Sequence, residues 1–304
     1  MHLQYRFYAL PEEKLKKPEW MKIKIPANGA RIQSIKSGMR RHGLHSVCEE
    51  ASCPNLHECF NHGTATFMIG GNICTRSCRF CNTLSGRPLP LDPNEPRAVA
   101  ESVRAMGLKH AVITSVDRDD LPDGGAHHWQ ETILAIRELN PNVTCEVLIP
   151  DFRGDLSMVD LVIAARPNII SHNLETVKRL TPLVRSVATY ERSLAVLKHI
   201  AKQGIPAKTG IMLGLGETEE EILETMDDAL SVGASILTIG QYLRPSRKNI
   251  PVEAYIEPAQ FDHLREVGLQ KGFTHVVSGS LVRSSYHAEE QVNRTSPTDT
   301  PHEH

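Results

Sequence analysis

Residues 65–83 read ATFMIGGNICTRSCRFCNT. The first part, ATFMIGG, is a short apolar run that ends on Gly70 and Gly71 and has the composition of a buried strand. The chain then runs straight into a loop carrying Cys74, Cys78 and Cys81. Five further apolar runs follow: HAVITSV, TCEVLI, NIISHN, AKTGIMLGL and SILTIGQY. Helical periods separate them, among them PRAVAESVRAM, HHWQETILAIREL, RSLAVLKHIAKQG and EEEILETMDDALSVG. Thr218 with Glu221 makes a capping box for the last of these, and Gly233 is placed to end it.

Short apolar strands alternating with helices imply parallel βαβ units. Six such units are readable, in a region shorter than the about 250 residues of a closed eight-unit barrel. An incomplete (β/α)6 parallel barrel, open on one side, is therefore the expected α/β fold. A doubly wound open sheet is the alternative. Both folds place their sites at the C-terminal ends of the strands, so the Cys74–Cys81 loop belongs at the functional rim.

Six of the seven cysteines fall between positions 48 and 81, as Cys48-x4-Cys53-x5-Cys59 and Cys74-x3-Cys78-x2-Cys81. Thiols this dense are disulfide-bonded, redox-active or metal-binding. The N-terminus, MHLQYRFYALPEEKLKKPEW, lacks a secretory signal, and no run approaches the roughly 18 apolar residues of a spanning helix. A cytoplasmic protein is expected, in a compartment where disulfides are rare. An odd cysteine count also suits disulfides poorly, which leaves metal. Soft thiolates select zinc, copper(I) or iron–sulfur clusters, and each triplet is one ligand short of four. A formal charge of -2 on 304 residues gives no reason to expect wholesale nucleic-acid or anionic-membrane binding.

Three regions are expected. Residues 1–60 form an N-terminal extension, in which KLKKPEW and KIKIPANGA read as irregular chain and GARIQSIKSGMRRHGL as a short helix. The basic face of that helix (Arg31, Lys36, Arg40, Arg41) reads as solvated. Residues 61–277 form the barrel core. Residues 278–304 form a C-terminal segment whose tail, EEQVNRTSPTDTPHEH, is polar and expected to be disordered.

The second triplet, with Phe80 just before its last cysteine, resembles the signature of the radical S-adenosylmethionine superfamily. That resemblance implies a [4Fe–4S] cluster with one iron unligated by protein, which the methionine part of S-adenosylmethionine chelates. The first triplet resembles the auxiliary-cluster motif of the lipoyl synthase family. Further blocks carry the same resemblance: KPEW (17–20), EEASCPNLHECF (49–60), SVDRDDLPDGGA (115–126), HNLET (172–176), GIMLGLGET (210–218) and VRSSYHAEE (282–290).

The resemblance implies a second [4Fe–4S] cluster on Cys48, Cys53 and Cys59, with Ser285 of the RSSY element as fourth ligand. An oxygen ligand is a poor match for iron among sulfurs and suits a cluster meant to be dismantled. The implied reaction inserts two sulfur atoms at C6 and C8 of an octanoyl chain on a lysine of a carrier domain. Those carbons are unactivated, so no side-chain acid or base is assigned. The implied partners are octanoylated carrier domains (2-oxoacid dehydrogenase E2 subunits, the glycine cleavage H protein), an electron donor such as ferredoxin or flavodoxin, and a carrier protein that rebuilds the cluster.

Asn173 and Glu175 follow the fourth strand and are candidates for the cofactor's polar groups; otherwise Glu175 sits in a helix's first turn. Arg185 is a candidate for the methionine carboxylate, and otherwise a surface residue. Asp117, Asp119, Asp120 and Asp123 resemble a metal loop but read as a solvated or turn-forming run. Cys145 reads as an inert core thiol, and His57 as a rival ligand that the family pattern disfavours. Three other functions compete. A methylthiotransferase would append an RNA-binding barrel for which residues 278–304 are too short. A two-cluster electron carrier would need four cysteines per cluster. A zinc-stabilised module is the third.

Overall fold

Strands covered on both faces lose the buried–exposed alternation, and Thr64–Ile69 is buried at all six residues. The computed structural model describes residues 16–21, 39, 44–46, 55, 58–59, 63–286 and 288. Its strands are β1 (His45–Ser46), β2 (Thr64–Ile69), β3 (Ile73–Cys74), β4 (Leu84–Ser85), β5 (His110–Ser115), β6 (Thr144–Leu148), β7 (Ile169–Ser171), β8 (Ala207–Leu213), β9 (Ala234–Gln241) and β10 (His275–Gly279). The main sheet has the order β1-β2-β5-β6-β7-β8-β9-β10. β1 is antiparallel to β2, and every other pairing in that sheet is parallel.

The parallel strands thus follow one another in chain order without a reversal. A doubly wound sheet requires such a switch point, so the alternative fold is excluded. β1 and β10 remain as separate edges, and the barrel is incomplete. Helices α1 (Glu95–Ala105), α2 (Ala126–Leu139), α3 (Leu156–Ala164), α4 (Tyr190–Lys202), α5 (Glu219–Ser231) and α6 (Pro258–Lys271) occupy the crossovers between successive parallel strands. Six β/α units are present as expected, followed by a seventh parallel strand that the apolar runs did not reveal. In β10 Val276 alone is buried, so its apolar signal is weak. The expected boundary at 277/278 falls inside it.

Phe67, Ile113, Trp129, Ile133, Ile136 and Phe261 are among the large side chains at the centre of the core. Each apolar side chain of this kind stabilises the fold by roughly 1.5–3 kcal/mol. The interior also holds a buried ion pair, Lys208 Nζ at 2.9 and 3.1 Å from the Glu146 carboxylate oxygens. Ser171 Oγ donates to the same carboxylate at 2.9 Å. The group links β6, β7 and β8 and satisfies charges that would be costly alone. The expected capping box closes α5: Glu221 N–H donates to Thr218 Oγ1 and Thr218 N–H to Glu221 Oε2. Gly233, at φ +90°, follows the end of α5. Among the described residues no helix is long and apolar enough to cross a membrane. Cys48, Cys53, His57, Arg31, Lys36, Arg40, Arg41 and the tail from 289 lie outside the described residues.

Candidate metal and cofactor centre

Glycine lets the chain turn sharply off β2. Gly70 and Gly71 both take positive φ. The Gly70 N–H donates to buried Glu95 (2.8 Å), and its carbonyl accepts from Arg118 (3.2 Å). The loop that follows is pinned to three other connecting segments. Thr75 N–H donates to the Asp117 carbonyl (3.1 Å) and Arg79 N–H to that of Val184 (2.9 Å). Ile250 N–H donates to the Arg79 carbonyl at 3.1 Å, and Asn249 Nδ2 to that of Cys81 at 2.8 Å. Cys74, Cys78 and Cys81 are held half-buried at the C-terminal ends of the strands.

Backbone N–H groups face these sulfurs. Cys74 Sγ accepts from Arg76 (3.4 Å) and Asp117 (3.3 Å), and Cys81 Sγ from Thr83 (3.4 Å). Cys78 Sγ stands 3.7 Å from Ser186 Oγ. Such bonds stabilise metal-bound thiolates and tune cluster potential. Burial, then the Asp117 charge, pushes the Cys74 thiol up to about 12, and burial raises Cys78 as well. Metal must therefore displace protons here. Among the described residues no three His, Cys, Asp or Glu side chains converge on a single ion. Three soft donors on one loop fit a cluster, in which each cysteine serves a different iron.

Arg76, between two of the cysteines, ties this loop to the rest of the rim. Its guanidinium meets Asp119 (2.7 and 2.9 Å), Asp151 (2.7 Å) and Asp117 (3.3 Å). The acidic run is therefore not a solvated one: Asp117 and Asp119 grip a buried arginine. Asp120 pairs with Arg118 at 2.9 Å, and Asp123 makes the expected turn, accepting from Gly125 and His127 N–H groups. Asp151 is fully buried; burial alone would raise its carboxyl, but the Arg76 charge holds it down at about 2. Arg76, Asp151, Ser186 and Asn249 carried no signal of their own in the sequence.

Asn173 and Glu175 lie in the irregular chain after β7 instead of opening a helix. Glu175 bridges to Ile211 and takes φ +69°, which corrects the helix-turn alternative. Glu175 N–H donates to the Gly210 carbonyl, and its own carbonyl accepts from Met212. Its carboxyl is pushed up by burial, and Arg185 and the Asn173 side chain act against that rise. Asn173 Oδ1 is buried without a hydrogen-bond partner among the described residues. A Cβ on Gly210 would lie 3.0 Å from that oxygen, so the glycine leaves room for it. Arg185 Nη1 donates to Ser193 Oγ (2.7 Å), and the Arg185 charge is felt at Cys78, His172 and Glu175. These candidates thus gather beside the cysteine loop, and Phe80 packs on the core next to Cys81. Cys145 is buried, with its thiol pushed by burial up to about 12, as an inert core residue should be.

Residues 55–59 meet residues 281–286. Asn55, in the first-triplet segment, donates from Nδ2 to the Leu281 carbonyl at 2.6 Å. Tyr286 OH donates to the Glu58 carboxylate, 3.1 and 3.2 Å from its two oxygens. Cys59 N–H donates to the Asn55 carbonyl (2.9 Å), and both Cys59 and Ser285 are half-buried.

Residues 68–229 match the radical SAM superfamily, and residues 6–53 match the N-terminal domain of lipoyl synthase of that superfamily. The lipoyl synthase of Porphyromonas gingivalis (strain ATCC 33277) is 64% identical over 91% of this chain and 99% of its own length. The chain belongs to the lipoyl synthase family. The lipoyl synthase of Parabacteroides distasonis is 62% identical over the same shares of both chains, 91% and 99%. The crystal structure of methylornithine synthase, 12% identical, superposes with a TM-score of 0.54 over 81% of each chain and shows the shared fold. As a lipoyl synthase family member the chain is a sulfurtransferase of the radical class, with S-adenosylmethionine and [4Fe–4S] clusters as cofactors. The methylthiotransferase, electron-carrier and zinc-module readings are set aside.

Proposed function

We propose that the two triplets divide the insertion of sulfur at C6 and C8 of an octanoyl chain amide-linked to a carrier-domain lysine. Cys74, Cys78 and Cys81 hold the cluster that meets S-adenosylmethionine; Cys48, Cys53, Cys59 and Ser285 hold the auxiliary cluster that gives up its sulfide. The observation that supports this division is the contact of the RSSY segment with the first-triplet segment through Asn55 and Glu58. When bound, the cofactors supply a 5′-deoxyadenosyl radical and sulfide, which unactivated carbons require.

The chain's own residues bind and orient. The unpaired Asn173 oxygen and the half-buried Glu175 carboxyl suit the cationic amino group of S-adenosylmethionine. Arg185 suits the methionine carboxylate, for which a planar fork is well shaped. Phe80 provides an apolar wall beside the cysteine loop. The open side of the barrel admits a flexible lysyl–octanoyl arm while the folded carrier domain stays outside. E2 subunits and the glycine cleavage H protein are the carriers in this reading, ferredoxin or flavodoxin the electron donor, and a cluster-carrier protein restores the auxiliary centre. The cytoplasm, where thiols stay reduced, suits this cysteine usage.

Anaerobic incubation with an octanoyl-lysine peptide, S-adenosylmethionine and dithionite, read by mass spectrometry, tests the division. Cys78→Ala should form no 5′-deoxyadenosine. Cys53→Ala should form 5′-deoxyadenosine and no lipoyl product. Sulfur insertion by Cys53→Ala, or cleavage by Cys78→Ala, would overturn the assignment.

A further inference from the structure

The contacts between residues 55–58 and residues 281–286 do not run through metal. Asn55 and Glu58 lie on the turn that carries Cys59, whose N–H closes onto the Asn55 carbonyl at 2.9 Å. Their partners, the Leu281 carbonyl and the Tyr286 hydroxyl, lie on either side of Ser285. Asn55 is buried, with a 2.6 Å bond to a residue 226 positions away. Tyr286 N–H donates to the Arg283 carbonyl (2.9 Å), so Ser285 sits within a closed turn. Arg283 Nη1 in turn donates to the Val282 carbonyl (2.6 Å) and reaches the Gln241 carbonyl at the end of β9 (3.4 Å).

We propose that Asn55 and the Glu58–Tyr286 pair form a clasp that keeps Ser285 beside the auxiliary cluster whether or not its oxygen is bound to iron. This rests on the reading of Ser285 as the fourth ligand. A serine oxygen binds iron weakly among sulfurs, so its occupancy depends on local concentration. Tethering the segment at both sides makes the encounter intramolecular and raises that concentration. The serine is then released when the cluster is consumed and returns when it is rebuilt, while the C-terminal segment stays in place. Asn55, Glu58 and Tyr286 are positioning residues, acting on the cluster through Ser285.

The test uses the full-length chain with Cys74→Ala, Cys78→Ala and Cys81→Ala, so that the auxiliary cluster is the one loaded. The readout is the rate at which anaerobic protein loses iron to a chelator. Tyr286→Phe and the isosteric Asn55→Asp should each speed the loss by about 3- to 10-fold, the scale of one net hydrogen bond. Glu58→Gln keeps an acceptor and should stay within about 2-fold of the parent. In a Ser285→Ala background, itself fast, Tyr286→Phe should add nothing. The clasp is overturned if Tyr286→Phe and Asn55→Asp match the parent while Ser285→Ala is fast. It is also overturned if Tyr286→Phe adds its full effect on top of Ser285→Ala, since it would then act on folding in general. Parent-like iron retention by Ser285→Ala would instead remove the ligand reading on which the clasp rests.

Discussion

Arg76 is the residue on which the radical loop's position most depends. It is buried to 3% side-chain exposure among three carboxylates from two other strand ends. Its removal leaves Asp117 without its cation, and leaves Asp151 and Asp119 with Arg192 (3.1 Å) and Arg153 (3.6 Å) alone. Arg76→Met should therefore destabilise the fold by roughly 3–5 kcal/mol, the cost of breaking a buried charge group. Urea unfolding measures this, and a change within error of zero would contradict the role. His172 gives a pH signature. Burial, reinforced by the Arg185 charge, lowers its imidazole to about 4, against 6.5 ordinarily. Between those values the unfolded chain binds a proton that the native chain refuses. Stability is then full above about pH 6.5 and falls as the pH drops toward 4, by up to about 3 kcal/mol. His172→Gln, which cannot titrate, should flatten that part of a stability–pH profile; an unchanged slope would refute the assignment. At this scale the sequence was readable where a residue acts through its neighbours in the chain, as in the Thr218–Glu221 capping box. It was opaque where partners come from other loops, because nothing in DRDD tells a solvated run from one that grips Arg76.

The elements that matter most are β9 and the segment lying across its end. A Cβ on Gly240 would run into the Val282 backbone carbonyl, which cannot move without carrying residues 281–286 with it. Gly240→Ala should therefore weaken the auxiliary centre and leave the radical loop in place. The expected outcome is lower iron content and loss of lipoyl product, with 5′-deoxyadenosine still formed; full sulfur insertion would contradict the docking. The helix cap of α5 is a smaller feature, and Thr218→Ala should cost about 1 kcal/mol by thermal or urea unfolding, as lost caps do. Strand–helix alternation was legible because β2, β5, β6, β8 and β9 are buried apolar runs with clear periods. β10 was not, since its polar His275 and Ser278 and its partial burial hide the pattern.

At the scale of the whole molecule, a barrel left open between its edges combines a radical loop at the strand ends with residues 281–286, which return to the turn that carries Cys59. The (β/α)6 core and the radical loop's place in it follow from chain order and from the rule that parallel sheets function at their C-terminal ends. The meeting of residues 55–58 with residues 281–286 does not follow from periodicity, since the two segments are too far apart in sequence for any local signal. It was reachable through family resemblance, which placed Ser285 with the first triplet. The central claim is that the first triplet and Ser285 hold the sulfur that enters the product. The most direct measurement rebuilds both clusters with heavy-isotope sulfide, runs the reaction anaerobically on an octanoyl-lysine peptide, and weighs the lipoyl product. Both inserted sulfurs should carry the label in the native sequence, while Cys53→Ala yields 5′-deoxyadenosine and no lipoyl product. Unlabelled sulfur in the product, or labelled product from Cys53→Ala, would contradict the account.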